Sequence, residues 1–341
     1  MSRRHKIIFV TAKEMQQCFN SILLKTGFSE DKAERLAAAF TQNSLDGIYT
    51  HGVNRFSRFI DYTKKGYVKT DGEPSLKSKN NGIEQWDGNL GPGILNAMIA
   101  TDQSIKLADE FGIGCVALSN TNHWMRGGAY GWQAAIAGYV FIGFTNTIAN
   151  MPAHGAIDKR LGNNPFVIAL PYKDTSIVLD MAMSQYSFGG MELSALKNES
   201  LQVYGGYDTE GNLTKDPAAI IKSQRPLPVG YWKGAGLSLL LDLLAAVLSA
   251  GLSTYEISKR NIEYGLSQVF MSINIKQLPN HSSIPVLIDN IITDYKQSVP
   301  ENEHVLISYP GERVLNNRRR NAENGIPVIE QVWEEILRLN K

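Results

Sequence analysis

The sequence predicts a mixed α/β fold of the α+β type, on three observations. The first 66 residues carry three successive amphipathic helical patterns, so the chain opens with a helical block. Strand-like runs at 139–145, 165–170 and 176–181 follow one another across glycine and asparagine turns. That spacing leaves no room for helical crossovers, so largely antiparallel pairing is expected. Finally, Gly112-Ile113-Gly114-Cys115-Val116-Ala117 matches a GxGxxA fingerprint, but it follows a helix and enters a strand, the reverse of the order that fingerprint requires. A Rossmann-type domain is therefore not expected.

Each element has a local reason. Thr11 and Glu14 form a capping-box pattern, and Met15, Cys18, Phe19, Ile22 and Leu23 mark the inner face of a helix that ends at Gly27. Ser29 starts the second helix, with Glu30 and Asp31 in its first turn and Ala33, Leu36, Ala37 and Phe40 inward. Val53, Phe56, Phe59 and Ile60 give the third, closed by Gly66. The stretch 72–82 is polar and turn-rich, 83–86 reads as a strand, and Gly91-Pro92-Gly93 introduces a helix to about Phe111. A strand at 115–118 and a dense polar loop at 120–128 precede another helix. Farther on, 189–198 predicts a helix, 204–225 a surface loop, and 237–252 a buried helix whose only internal charge is Asp242, shorter than a bilayer span. The end of the chain reads as a strand at 268–275, a helix at 285–298, a strand at 305–308, and two helices split at Gly325-Ile326-Pro327. Arg318-Arg319-Arg320 falls in the first of these and reads as a solvated face.

Composition narrows the class of function. At 341 residues, 43% hydrophobic and 20% charged, the chain has the make-up of an ordinary soluble protein of about two domains. Thirty-four basic side chains nearly cancel thirty-three acidic ones, so no global field recruits nucleic acid or an anionic membrane. Cys18 and Cys115 lie far apart in apolar runs and read as reduced core thiols of a cytoplasmic protein. After the charged start Met1-Ser2-Arg3-Arg4-His5-Lys6, only Ile7-Ile8-Phe9-Val10 is apolar, too short for a secretory signal. There is no GxxxxGK[ST] loop, no GxSxG elbow and no zinc-ligand spacing, so no metal is expected.

The chemistry centres on 46–56, where His51 and Arg55 stand one helical turn apart at a helix start. A proton donor beside a planar cation suits reduction of a carbonyl next to a carboxylate, the guanidinium gripping the carboxylate and the imidazole protonating the alkoxide. A capping histidine with a solvated arginine gives the same pattern. Trp232-Lys233, in a glycine-rich turn before a long helix, suits a pyrophosphate as well as it suits tight packing. His123 with Arg126 fits a binding loop or a structural corner, and Asp180, inside an apolar strand, calls for a histidine or a backbone amide as partner. His154 has no assigned role.

Long motifs recur in fixed order: Gly47-Ile48-Tyr49-Thr50-His51-Gly52-Val53-Asn54-Arg55-Phe56, Ile83-Glu84-Gln85-Trp86-Asp87, Asn122-His123-Trp124-Met125-Arg126-Gly127-Gly128, Gly131-Trp132-Gln133-Ala134-Ala135, Gly211-Asn212-Leu213-Thr214-Lys215, Gly230-Tyr231-Trp232-Lys233-Gly234 and Asn317-Arg318-Arg319. With these motifs the chain resembles, almost end to end, the malate/L-lactate dehydrogenase family of non-Rossmann oxidoreductases. The resemblance implies a homodimer with a helical substrate and dimerisation part, 1–120 with 285–341, and a nucleotide domain with a largely antiparallel sheet, 121–284. It implies His51 and Asp180 as catalytic residues and Arg55, Thr50, His123 and Arg126 as substrate-binding ones. NADH, or NADPH in its place, would be held by Ser176, Ile177, Val178, Leu179, Asp180, Met181 and Ala182, by Trp232 and Lys233, and by Gly311, Glu312 and Arg313.

Where relatives carry serine before the catalytic histidine, this chain has Thr50, which keeps the hydroxyl. The Trp124-Met125-Arg126 segment differs from the malate and lactate branch and points to a longer, polyhydroxylated substrate. The expectation is a reductase of a 2,3-diketo sugar acid. A malate, lactate or other 2-keto acid dehydrogenase is the alternative, and a noncatalytic sugar-acid sensor the rival class.

Overall fold

The computed structural model describes residues 6–341, so the charged run 1–5 lies outside the described residues. A seven-stranded sheet forms the centre, in the order Ser75–Asn80, Ile83–Asp87, Ile113–Thr121, Leu266–Ile273, Val140–Thr145, Phe166–Tyr172 and Thr175–Met181. Every neighbouring pair runs antiparallel except Ile83–Asp87 with Ile113–Thr121, which the helix Gly93–Phe111 connects. The GxGxxA run does lie between that helix and its following strand. The sheet takes strands from both sides of residue 120.

The helical block forms as its patterns require. Thr11 Oγ1 accepts the Glu14 N–H and starts Ala12–Lys25, and Ser29 Oγ accepts the Lys32 N–H and starts Glu30–Leu45. Phe19, Phe40, Phe56 and Phe59 interleave between these helices and Val53–Lys64, with Phe19 stacked on Phe56 at 4.0 Å. The chain's other end joins this core: Trp333 and Ile336 of the helix Glu330–Leu339 pack into it, and Ile7–Val10 pairs antiparallel with Ile326–Ile329. Cys18 and Cys115 are free and buried.

Several expectations are corrected. The stretch 72–82 contains an exposed edge strand, Ser75–Asn80, whose polar side chains hid its character. The expected surface loop at 204–225 holds a small hairpin, Gly206–Tyr207 with Leu213–Thr214, and the helix Pro217–Ser223. No strand forms at 305–308. The expected buried helix is Trp232–Ser249, and only one face is buried: Ala235, Ser238, Leu241 and Ala245 pack inward. Leu239, Leu240, Leu243 and Val247, the last 71% exposed, form an open apolar face. Apolar residues all round a helix predict full burial, and one chain covers only half of it. By length and composition alone this helix could cross a membrane. Here its Asp242 is tied to the fold, accepting from Asn146 Nδ2 at 2.9 Å and from the Thr254 N–H at 2.7 Å.

Candidate active site

His51 ends a short 3₁₀ turn, Tyr49–His51, immediately before the helix Val53–Lys64. Gly52 joins the two because nothing larger fits: a Cβ there would fall 2.2 Å from Ser44 Oγ. Ser44 Oγ instead accepts the Val53 N–H at 2.8 Å, and Asn43 Nδ2 donates to the His51 carbonyl at 3.0 Å. The helix Glu30–Leu45 thus clamps the turn that carries His51 on both sides of Gly52. Thr50 Oγ1 lies 3.2 Å from His51 Nδ1.

Arg55 follows one turn on, half-buried, with Nη2 4.0 Å from Glu263 Oε1. The other oxygen of Glu263 accepts the Ile148 N–H at 3.1 Å. The His123 ring lies nearly parallel to that of His51, with centroids 5.7 Å apart. His123 Nδ1 accepts the Met125 N–H at 2.9 Å, which leaves the ring proton on Nε2. Met125 takes φ +63° to aim that amide, a backbone conformation uncommon outside glycine.

These groups line one cavity of about 320 Å³, which gathers Thr50, His51, Arg55, His123, Arg126 and Asp180 with Ala182 and Glu263. Asp180 faces the open cleft and accepts the Gly128 N–H at 2.7 Å, so of its two candidate partners the structure supplies the backbone amide. Arg126 is buried and bonded to Asp46, which also receives Arg318 Nε at 2.6 Å and Nη2 at 3.0 Å. Arg318 is therefore half-buried in an ion-pair network, and only Arg319 and Arg320 show the expected solvated face.

The electrostatics follow from this packing. Burial first, then Arg55 and Arg126, lowers the His51 pKa to about 4. His123 is pushed well below its usual value by burial, Arg55 and His51. Desolvation of its carboxyl by the walls of the cleft pushes Asp180 up, while the Gly128 amide and Arg126 pull it back only in part. Burial likewise raises Glu263 against the pull of Arg55. Asp46 goes the other way: burial would raise it, but Arg318 and Arg126 together hold it below the usual carboxylate range.

The remaining expected residues lie outside the cavity, around the edge strand Thr175–Met181. At one point of that strand the Val178 N–H donates to the Pro310 carbonyl at 3.0 Å, bringing Gly311, Glu312 and Arg313 alongside. Gly311 has φ +96°, and a Cβ there would press to 3.2 Å on the Val178 amide. At the strand's far end the Val229 N–H donates to the Met183 carbonyl at 2.8 Å, which brings to that end the segment leading into Trp232 and Lys233 at a helix start. Trp232 is 65% exposed. Two helix starts, an exposed lysine and the buried Ser184 Oγ, which has no protein partner among the described residues, make a donor set that fits a dinucleotide. Ser176 is fully buried and supports the strand from inside. Among the described residues no group of three His, Cys, Asp or Glu could hold a metal ion.

Sequence reasoning passed over Glu263 and Asp46. Asp46 opens the motif that carries His51, yet its two arginine partners lie 80 and 272 residues away. Glu263 sits in an irregular stretch with no motif around it.

A non-Rossmann sheet beside a helical block, with a histidine and an arginine facing a common cavity, is the framework of a keto-acid oxidoreductase. The chain belongs to the malate/L-lactate dehydrogenase family, whose model matches residues 10–337. It is an oxidoreductase, and the family works with a nicotinamide cofactor. It is 42% identical to the 2,3-diketo-L-gulonate reductase of Citrobacter koseri and 43% identical to that of Pasteurella multocida, each over 96% of this chain and 98% of the relative. The malate dehydrogenase of Entamoeba histolytica has the same fold, with a TM-score of 0.92 at 23% identity over 98% of this chain and 97% of that one.

Proposed function

We propose that the protein reduces the 2-keto group of a 2,3-diketo sugar acid, 2,3-diketo-L-gulonate to 3-keto-L-gulonate, with NADH as reductant. The observation that carries this reading is the single cavity in which His51 and Arg55 face Asp180 and the end of the edge strand. Identity near 42% to 2,3-diketo-L-gulonate reductases over nearly the whole chain supports the choice of substrate.

A reduced nicotinamide, when bound along the edge strand, supplies the hydride. This chain's residues do the rest. Arg55 holds the substrate carboxylate in a two-pronged grip. His123 Nε2–H and His51 Nε2 are left for the substrate oxygens, because both Nδ1 atoms are engaged by the fold. His51 gives the proton to the carbonyl oxygen as charge develops there. With a pKa of about 4 in the free chain, His51 is neutral at pH 7 and must gain its proton when substrate arrives. The substrate carboxylate favours that uptake: burial disfavours the imidazolium most, and the carboxylate offsets the positive field of Arg55 that adds to it. Asp180 fixes the Gly128 amide and closes the cavity on the cofactor's side.

The helical core with 285–341 is the substrate and dimerisation part, and the sheet the cofactor part. The protein acts in the cytoplasm as a homodimer. The open face Leu239, Leu240, Leu243 and Val247 supports the dimer, because a contiguous apolar surface of this kind marks an interface. The test is NADH and NADPH absorbance with 2,3-diketo-L-gulonate, oxaloacetate and pyruvate. Oxidation of NADH by the sugar acid with the highest kcat/KM is the expected result. Preference for oxaloacetate or pyruvate would instead make it a malate or lactate enzyme, and no turnover at all would leave the sensor.

A further inference from the structure

Beside the main cavity lies a second, much smaller one of about 20 Å³, and the two share Arg55, His123, Met125 and Glu263 as their common wall. Its far side is made by Arg58, Tyr62 and Asn122. A space of this size takes about one water-sized group. The polar groups around it are incompletely used. Asn122 is 3% exposed, gives Nδ2 to the carbonyls of Tyr67, Leu90 and Gly91, and leaves Oδ1 without a protein partner among the described residues. Glu263 accepts the Ile148 N–H through Oε2, but its Oε1 stands 4.0 Å from Arg55, beyond hydrogen-bond range. The buried Asn122 Oδ1 and the Oε1 of Glu263, whose side chain is 14% exposed, thus border one small space without a hydrogen-bond donor among the described residues.

We infer that this side pocket is the subsite for a hydroxyl group on the substrate chain, with Glu263 as the residue that selects a polyhydroxylated keto acid over a short one. A carboxylate is too large to be the occupant of a space of about 20 Å³. A hydroxyl can donate to Glu263 Oε1 or to Asn122 Oδ1 and accept from Arg58. The shared wall joins the two spaces: Arg55, His123, Met125 and Glu263 face both the cavity that holds the acid and the side pocket that takes its hydroxyl. The raised pKa of Glu263 is consistent with a carboxyl that gains a partner only when the pocket is filled.

This inference rests on the proposed sugar-acid substrate, and the experiment separates the two. The wild-type protein is first tested for NADH oxidation with 2,3-diketo-L-gulonate; if it reduces only pyruvate or oxaloacetate, the substrate reading fails and the subsite with it. With activity in hand, competitive inhibition by L-gulonate, which carries the hydroxylated tail, is compared with inhibition by oxamate, which has the carboxylate and no tail. Glu263→Gln should weaken L-gulonate and raise the KM for 2,3-diketo-L-gulonate about tenfold, with oxamate inhibition shifting less than about twofold. Arg58→Gln, on an exposed position, should move the same pair in the same direction and provides the reading if the Glu263 variant does not fold. Parallel weakening of L-gulonate and oxamate would show that Glu263 acts only by holding Arg55. Unaltered L-gulonate inhibition in both variants would also overturn the subsite.

Discussion

Thr50 Oγ1 lies 3.2 Å from Nδ1 of His51, so a single hydroxyl serves both protonation states of the ring. It accepts from Nδ1–H of the imidazolium and donates to the bare Nδ1 of the neutral form, which leaves Nε2 for substrate in either state. Thr50→Val keeps the shape and removes the hydroxyl, so kcat for reduction should fall about tenfold, the worth of one hydrogen bond of this kind. Thr50→Ser should recover most of the loss in the same steady-state assay. Equal rates for the valine and serine variants would remove the hydroxyl from the mechanism.

His51→Gln retains a donor but has no proton to release, and kcat should drop by roughly 10²–10⁴ with NADH affinity kept. The pH dependence has a definite sign. The free ring is neutral above its pKa of about 4, so the proton must be taken up with the substrate, and a carboxylate inhibitor should bind more weakly as pH rises. Reduction should slow with rising pH while the reverse oxidation speeds up. Calorimetry of oxamate binding in two buffers of different ionisation enthalpy measures the uptake directly. Zero protons taken up at pH 6 to 7 would rule out His51 as the acid.

Arg55→Lys replaces a two-pronged grip with a point charge. The KM for the keto acid should rise about tenfold or more, corresponding to roughly 1.5–3 kcal/mol for a charge-assisted contact. A change within about twofold would move the carboxylate anchor elsewhere.

Asp46 is 1% exposed and holds Arg126 and Arg318 at once. Asp46→Asn strands a buried guanidinium and should cost about 3–5 kcal/mol, read as a lowered denaturation midpoint. The wild-type network also has a pH signature. Because the folded Asp46 sits below the usual carboxylate range, its stabilisation is present above the unfolded pKa of about 3.9 and is lost as pH falls through the folded value. The variant should lack that acid-sensitive component.

Lys233→Ala removes a cation from the helix start next to the edge strand's end, so NADH should bind several-fold more weakly in a calorimetric titration. Oxamate inhibition at saturating NADH should stay as in the wild type.

How much of this was legible in the sequence depended on the range over which each decision is made. The helices Ala12–Lys25, Glu30–Leu45 and Val53–Lys64 are fixed by caps and apolar periodicity within a few residues, and they form where the pattern puts them. The inverted GxGxxA context and the close-set strands were enough to exclude a Rossmann domain. Ser75–Asn80 was missed because an exposed edge strand has no apolar face to show. The burial of Trp232–Ser249 was overestimated because composition cannot say whether the second face is covered by this chain. In the site, His51 and Arg55 sit in one motif, while Asp46, Glu263 and Arg318 acquire their surroundings from residues far away in the chain. The partner of Asp180 is the Gly128 amide, 52 residues distant, and periodicity carries no trace of it.

The helix Glu312–Asn324 touches the site at neither His51 nor Arg55, yet three of its contacts tie the edge strand to the segment just before His51. Gly311, just before it, abuts Val178; Arg318 grips Asp46; and Asn321 Nδ2 donates to the Leu45 carbonyl at 2.9 Å and to Tyr49 Oη at 3.1 Å. At about 1.5 Å per residue, the seven steps from Gly311 to Arg318 span roughly 10 Å. The helix is therefore a gauge block between the edge strand and the turn that carries His51. Inserting one residue between Val314 and Asn317 would swing Arg318 by about 100° and push it off Asp46, leaving every cavity side chain in the sequence but the two halves of the site out of register. The spacing between the edge strand and the turn that carries His51 is thus set by the length of a helix contributed from the opposite end of the chain.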